Sequence, residues 1–493
     1  MRSSRFSFLI RVLQTMDSKR LTEVTGAEMV RLIASKAASP VEVVEAYLER
    51  IERLDRRLCS YITVCREEAL SAAHQAEQAV VQGDALGPLH GLPLAVKDQF
   101  ETKGVLTTAG SDVLAGYVPR REATVVARAK AAGAILLGKL NMTEFAAGGR
   151  RNRFKHGQPR NPWDLTRNAG GSSTGCGIAI AASLCSLSLG EDTGGSIRCP
   201  AAFTGIVGAR PTWGRVSRHG LIPLSWSMDT PGPMTRTVED AALLMKVIAG
   251  YDAKDPLTSK LPVPDFARAL ESELEGLQVG LIVQAMEDQY TGADVLKAVR
   301  AAATVLEELG CVVEEVSLPR LDQIGVAMEA IVQSDGAFAH RRWLRTRSEE
   351  LGPDLRRRWL AGSLIPAQTY QKAMRVRALF RRDWLRLFER YDVLLSPTAL
   401  GVAEPIEDQP PIASREEAQE RFQLSTPGRR SPTMAAAFAG TPAMTVPCGF
   451  SAEHLPIGLQ IMTGPFREET MFRVGHAFEQ STEWHTRRPM LPG

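Results

Sequence analysis

Histidine is scarce in this 493-residue chain, with eight in all and none between His156 and His219. Histidine is the usual base for a serine or cysteine nucleophile. Chemistry carried by that middle stretch therefore has no histidine base close by in sequence. The seven cysteines are dispersed, odd in number and never spaced C-x-x-C. That spacing excludes a disulfide or zinc framework and points to a reducing, cytoplasmic setting. No H-E-x-x-H or H-x-x-E-H pattern occurs, and no metal or other cofactor is expected. No run approaches the roughly 18–20 apolar residues of a membrane span. Charge of one sign is also lacking: 59 Lys+Arg against 56 Asp+Glu leave +3. Neither a nucleic acid nor a membrane is therefore expected as a partner.

The composition, 44% hydrophobic and 23% charged, is that of a soluble globular enzyme. Length alone predicts about two to four domains of roughly 100–200 residues each. Arg2 and Arg5 precede apolar residues 6–10, yet Arg11 interrupts that run and no small-residue cleavage site follows. Residues 1–20 therefore read as a flexible extension, with Met16 as an alternative natural start.

What the chain does have is concentrated between Gly170 and Ser196, read as GGSSTGCGIAIAASLCSLSLGEDTGGS. Small apolar residues 178–182 suit a buried helix, and residues 185–189 alternate as a short strand would. Two serines thus stand at glycine-rich turns on either side of a helix and a strand. Glycine lets successive backbone N–H groups point into one space, which is how an oxyanion site is built. A serine needs a base, and the local candidate is Lys97, at the end of the apolar stretch LPLAVKD. Burial there favours the neutral amine that a lysine base requires.

Strand and helix patterns alternate through the rest of the chain. Helices are expected over residues 27–54 (as a pair), 67–82, 124–132, 238–249 and 294–309. Strands are expected over 92–96, 134–137, 278–283 and 311–316. Ser39-Pro40-Val41-Glu42 reads as a capping box with proline at the first helical position. Residues 324–390 are helical and arginine-rich, with Ala373, Val376, Phe380, Trp384 and Leu387 as a buried stripe and Arg377 and Arg382 on a solvated face. The alternation predicts an α/β layered fold. Residues 401–432 are too long and polar for an ordinary connector, and read as a lid or a disordered segment.

HGLPLAVKD, GGSSTGCG and GEDTGGSIRCPAAF, followed by YDVLLSPT and AGTPAMTVPCGF, resemble the amidase signature family of serine hydrolases. The resemblance runs from about Leu21 to the C-terminus and is weakest over about 252–430. It implies one large domain over 21–493, with a mixed central sheet covered by helices on both faces and a catalytic core over about 85–250. By position it implies a Ser–cis-Ser–Lys triad: Ser196 as nucleophile, Ser172 bridging after a cis peptide bond, Lys97 as base. It implies an oxyanion hole from the backbone N–H groups of Thr193, Gly194, Gly195 and Ser196. Ala146, Ala147 and Ser173 fall where the family lines its substrate pocket. Three positions depart from the commonest pattern: Thr174 for glycine, Cys176 for serine and Glu191 for a small residue.

Two other motifs are weaker. Gly171 to Gly175 also fits G-x-S-x-G with Ser173 as nucleophile, but no strand precedes it. Gly133 to Lys139 begins like a phosphate-binding loop, but Leu140 stands where Ser or Thr is required. Asp98 and Asp192 read as carboxylates that orient the loops, with Arg198 pairing to Asp192. The expected activity is cofactor-independent hydrolysis of C–N bonds in small amides, carbamates or ureas, with a homodimer as the expected assembly and an alkaline optimum. The alternatives are the glutaminase subunit of a tRNA-dependent amidotransferase, and an inactive binding protein on the same fold.

Overall fold

The computed structural model describes residues 18–147, 154–287, 290–406 and 432–491. Residues 1–17, and most of the 401–432 segment read as a lid or disordered, lie outside the described residues.

Helix signals in the sequence become helices with matching ends. Ser39 caps the helix Pro40–Leu58 with the reciprocal Glu42 bond of a capping box. Arg66–Gln82 ends on left-handed Gly83. Helices also form over Thr124–Ala131, Val238–Ile248 and Ala293–Glu308.

The strands, in chain order, are β1 Tyr61–Val64, β2 Pro93–Lys97, β3 Ile135–Leu140, β4 Leu187–Glu191, β5 Val207–Arg210 and β6 Pro231–Thr235. There follow β7 Gln278–Ile282, β8 Val312–Val316, β9 Val393–Pro397, β10 Ala443–Phe450 and β11 Pro456–Thr463. They form one sheet in the order β1-β3-β2-β4-β6-β5-β10-β11-β9-β7-β8. Parallel pairs (β3–β2–β4 and β9–β7–β8) sit on either side of antiparallel β6, β5, β10 and β11, so the sheet is mixed. Every residue of β2 through β6 is buried, which marks a sheet covered on both faces. The fold is α/β, as expected.

This topology positions two carboxyl strand ends side by side. β2 and β4 run parallel, with Leu94 opposite Leu187 and Val96 opposite Leu189. Lys97 and Glu191 therefore finish neighbouring strands at the edge where open α/β sheets hold their ligands. β4 begins two residues later than expected, because Cys185 and Ser186 belong to the turn after the preceding helix. That helix, Thr174–Ala181, is buried on all sides. A Cβ on Gly175 would stand 2.4 Å from Ser60 O and 2.6 Å from Asn141 N, so only glycine allows this approach.

The arginine-rich helices correct one expectation. The stripe on Ala367–Leu387 is buried at Ala373, Phe380 and Trp384, but Arg377 is not on a solvated face. Its guanidinium donates to Phe438 O at 2.9 Å and Ser227 O at 3.1 Å. A free-standing helix pattern shows which face is apolar, not where neighbouring segments offer carbonyls to a long side chain.

Candidate active site

β2 delivers Lys97 into the interior with no exposed surface. Its Nζ donates to Ser172 Oγ at 2.8 Å, Glu191 Oε2 at 3.0 Å and Glu191 O at 3.3 Å. Three acceptors match the three donors of an ammonium. They also suit a neutral amine that gives two N–H groups to Glu191 and turns its lone pair to Ser172. The Gly171–Ser172 peptide is cis. Lys97 and Ser172 are thus brought together from positions far apart in the chain. The surroundings of Lys97 are not purely apolar as expected, because the buried Glu191 carboxylate lies against its amine.

The two serine turns are tied directly: Ser173 N–H donates to Ser196 O at 3.1 Å. Ser196 is half-buried, and its hydroxyl bonds to no group among the described residues. The turn before it is held by Asp192, which accepts from Gly195 N at 2.8 Å and Ile197 N at 3.1 Å. Arg198 grips the same carboxylate, and Thr433 Oγ1 donates to Gly194 O at 2.8 Å. The Thr193, Gly194 and Ser196 N–H groups have no acceptor among the described residues, so three donors of this turn are uncommitted. Gly195 is a correction to the four-donor expectation, since its N–H is committed to Asp192.

Ser173 is another correction. Its buried hydroxyl donates to Glu191 O at 3.1 Å and accepts from Glu191 N at 3.3 Å, so it braces β4 rather than lining a pocket. The same bonds take it out of contention as a nucleophile. Ala146 is buried in the apolar cluster containing Met142, Leu224 and Met328. A Gly194 Cβ would lie 2.7 Å from Met328 Cε, which places that cluster against the serine turn. Ala147 is half-buried. Asp98 accepts from Thr108 N at 2.8 Å and pairs with Lys139, fixing the loop after β2.

Sequence reasoning missed the carboxylate pair behind Lys97. Thr193 Oγ1 lies 2.7 Å from both Glu191 Oε1 and Asp229 Oδ1. Burial, and then the Glu191 charge, push the Asp229 carboxyl up to about 8. The signal available was Glu191 itself, an acid where the pattern has a small residue, on a strand that pairs with β2.

The sequence matches the Amidase family over residues 42–472. This chain belongs to the amidase family. As an amidase it is an enzyme acting on C–N bonds. It is 41% identical over 495 residues to the A subunit of the glutamyl-tRNA(Gln) amidotransferase of Moorella thermoacetica, spanning 95% of this chain and 98% of that one. Among solved structures it resembles the peptide amidase of Stenotrophomonas maltophilia, with a TM-score of 0.81 and 32% identity over 95% and 98% of the two chains. It also resembles the corresponding glutamyl-tRNA(Gln) amidotransferase chain of Thermotoga maritima, with a TM-score of 0.75 and 31% identity over 95% of each.

These relatives overturn one expectation: that this amidase meets only a small amide or carbamate, with no nucleic acid and at most a second copy of itself. Relatives at this identity are named as subunits of an enzyme of glutamyl-tRNA. Near-zero net charge describes steering by the isolated chain and excludes nothing about a chain that joins an assembly. No helix among the described residues is long and apolar enough to cross a membrane.

Proposed function

We propose that this amidase cleaves a carboxamide through a Ser196 acyl-enzyme, as the glutaminase component of a glutamyl-tRNA(Gln) amidotransferase that takes nitrogen from glutamine. The observation that carries the chemistry is the 2.8 Å contact from Lys97 Nζ to the bridging Ser172 Oγ. The assembly reading is supported by the 41% identity to a component of such an enzyme. Free cysteines suit the reducing cytoplasm it would occupy.

In this mechanism neutral Lys97 takes the Ser172 proton while Ser172 takes that of Ser196, whose oxygen attacks the carbonyl. The oxyanion is held by N–H groups of Thr193, Gly194 and Ser196, at roughly 3–4 kcal/mol for a well-placed donor. The wire then runs in reverse: Ser172 protonates the leaving nitrogen, and water resolves the ester. The acyl pocket is proposed to run past Ala146 and Ala147.

A second reading has a specific observation in its favour. The backbone follows the peptide amidase more closely than the Thermotoga chain, with TM-scores of 0.81 and 0.75. On that reading the substrate is an amide, carbamate or urea other than glutamine. The deciding experiment measures ammonia release from glutamine and cleavage of aryl and peptide amides, carbamates and ureas, with Ser196→Ala as blank. Glutaminase activity that rises with the other amidotransferase components present supports the first reading. Efficient aryl-amide turnover with no response to those components supports the second.

A further inference from the structure

Glu191 is fully buried, and both of its carboxylate oxygens are engaged. Oε2 accepts from Lys97 Nζ at 3.0 Å and Oε1 from Thr193 Oγ1 at 2.7 Å. Beyond Thr193, at 2.7 Å, lies Asp229 Oδ1. A hydroxyl carries one proton. When two carboxyl oxygens both sit at hydrogen-bond distance from it, one of them must donate. Glu191 faces the Lys97 amine. Asp229 forms no ion pair among the described residues, and its oxygens accept from Leu224 N at 2.8 Å and Ser225 N at 2.9 Å. Asp229 is therefore the acid, and the line runs from Asp229 through Thr193 to Glu191, which Lys97 closes from the other side.

Resting on the reading of Lys97 as base, we propose that Glu191 is its proton partner: it takes a proton from the Lys97 ammonium and so frees the amine that serves Ser172. In that step one Lys97 N–H bond breaks and one Glu191 O–H bond forms at Oε2. Rotation about the Lys97 Cε–Nζ bond then carries the freed lone pair from Glu191 to Ser172 Oγ, and an N–H takes its place against Glu191. The pair is neutral overall before and after, so the transfer buries no new net charge, whereas an unpartnered lysine must lose its proton to water. Thr193 and Asp229 hold Glu191 in place and keep its outer oxygen supplied with a hydrogen bond.

The other charges around the pair are already committed. Arg210 and Arg198 both pair with Asp192, and Asp98 pairs with Lys139. Glu191 thus acts as a positioning residue for Lys97, and its effect is on the pH profile.

The test uses the whole chain and a fluorophosphonate probe, and reads the rate of Ser196 labelling between pH 6 and 8. With Glu191 as internal acceptor, the natural chain varies by less than about threefold over that range. Glu191→Gln and Glu191→Ser must release the lysine proton to solvent, so their rates climb about tenfold per pH unit until the amine is free. Glu191→Asp, which restores the carboxylate, recovers the flat profile at least in part. Profiles for the Gln and Ser variants that superimpose on the natural one, flat or steep, overturn the proposal. Near-normal labelling of Lys97→Ala would instead remove the base reading itself, which keeps the two failures apart. Glu191→Ser adds no volume at this fully buried position, so it serves if the Gln variant does not fold.

Discussion

Arg198 meets Asp192 with two bonds, Nε to Oδ2 at 3.0 Å and Nη2 to Oδ1 at 2.9 Å, both sides fully buried. Arg210 adds a third contact at 3.2 Å. Burial by itself would raise the Asp192 carboxyl, but Arg198 and Arg210 overcome it and hold the group well below the usual carboxylate range. The same carboxylate fixes the N–H groups of Gly195 and Ile197, on both sides of Ser196. Asp192→Asn leaves two buried guanidiniums short of countercharge, and should lower stability by about 3–5 kcal/mol. A denaturant midpoint equal to that of the natural chain would remove Asp192 from this role.

The serine turn demands glycine unequally. Gly195 has a φ of +132°, and a Cβ there would stand 2.2 Å from Thr433 Oγ1. A Cβ on Gly194 meets only the mobile end of Met328, at 2.7 Å. Gly195→Ala should therefore cost about 2–4 kcal/mol, and Gly194→Ala about half that or less. Thermal melting of both variants checks the order, and equal losses would contradict it.

The proportion of this legible in the sequence followed from distance along the chain. The capping box at Ser39, the left-handed stop at Gly83 and the strand leading to Lys97 are local patterns, and each appears where expected. The pairing of Arg198 with Asp192 was legible because the two are close in sequence. Arg377 was not, since its carbonyl partners come from the turn at Ser227 and from Phe438 in the helix Met434–Ala439. Glu191 was visible as an oddity, but its contact with Lys97 depends on β2 and β4 lying parallel in register. The commitment of the Gly195 N–H and of the Ser173 hydroxyl is likewise a matter of turn geometry that composition does not encode.

Stability should also fall on the alkaline side for a reason far from the site. Glu479 accepts from Val238 N at 3.0 Å, and burial pushes its carboxyl up from 4.5 to about 8. Asp240, which accepts from Gly26 and Ala27, is pushed up to about 6, also by burial. Between the unfolded and folded values the native chain holds a proton that the unfolded chain has released. That contribution is whole below about pH 4 and is lost as pH rises toward 8. Glu479→Gln keeps an acceptor for Val238 and has no proton to lose. Its melting temperature should decline less than that of the natural chain between pH 5 and 8, with a gain on the order of 2–4 kcal/mol at pH 8. Parallel declines would contradict the assignment.

The central claim is that Ser196 carries the acyl group with Lys97 and Ser172 behind it, and peptide mapping after fluorophosphonate labelling reads it directly. The account predicts the adduct on the peptide holding Ser196, none in Ser196→Ala, labelling slowed by several orders of magnitude in Lys97→Ala and Ser172→Ala, and labelling retained in Ser173→Ala. An adduct on Ser173, or undiminished labelling of the Ser196→Ala chain, would contradict it.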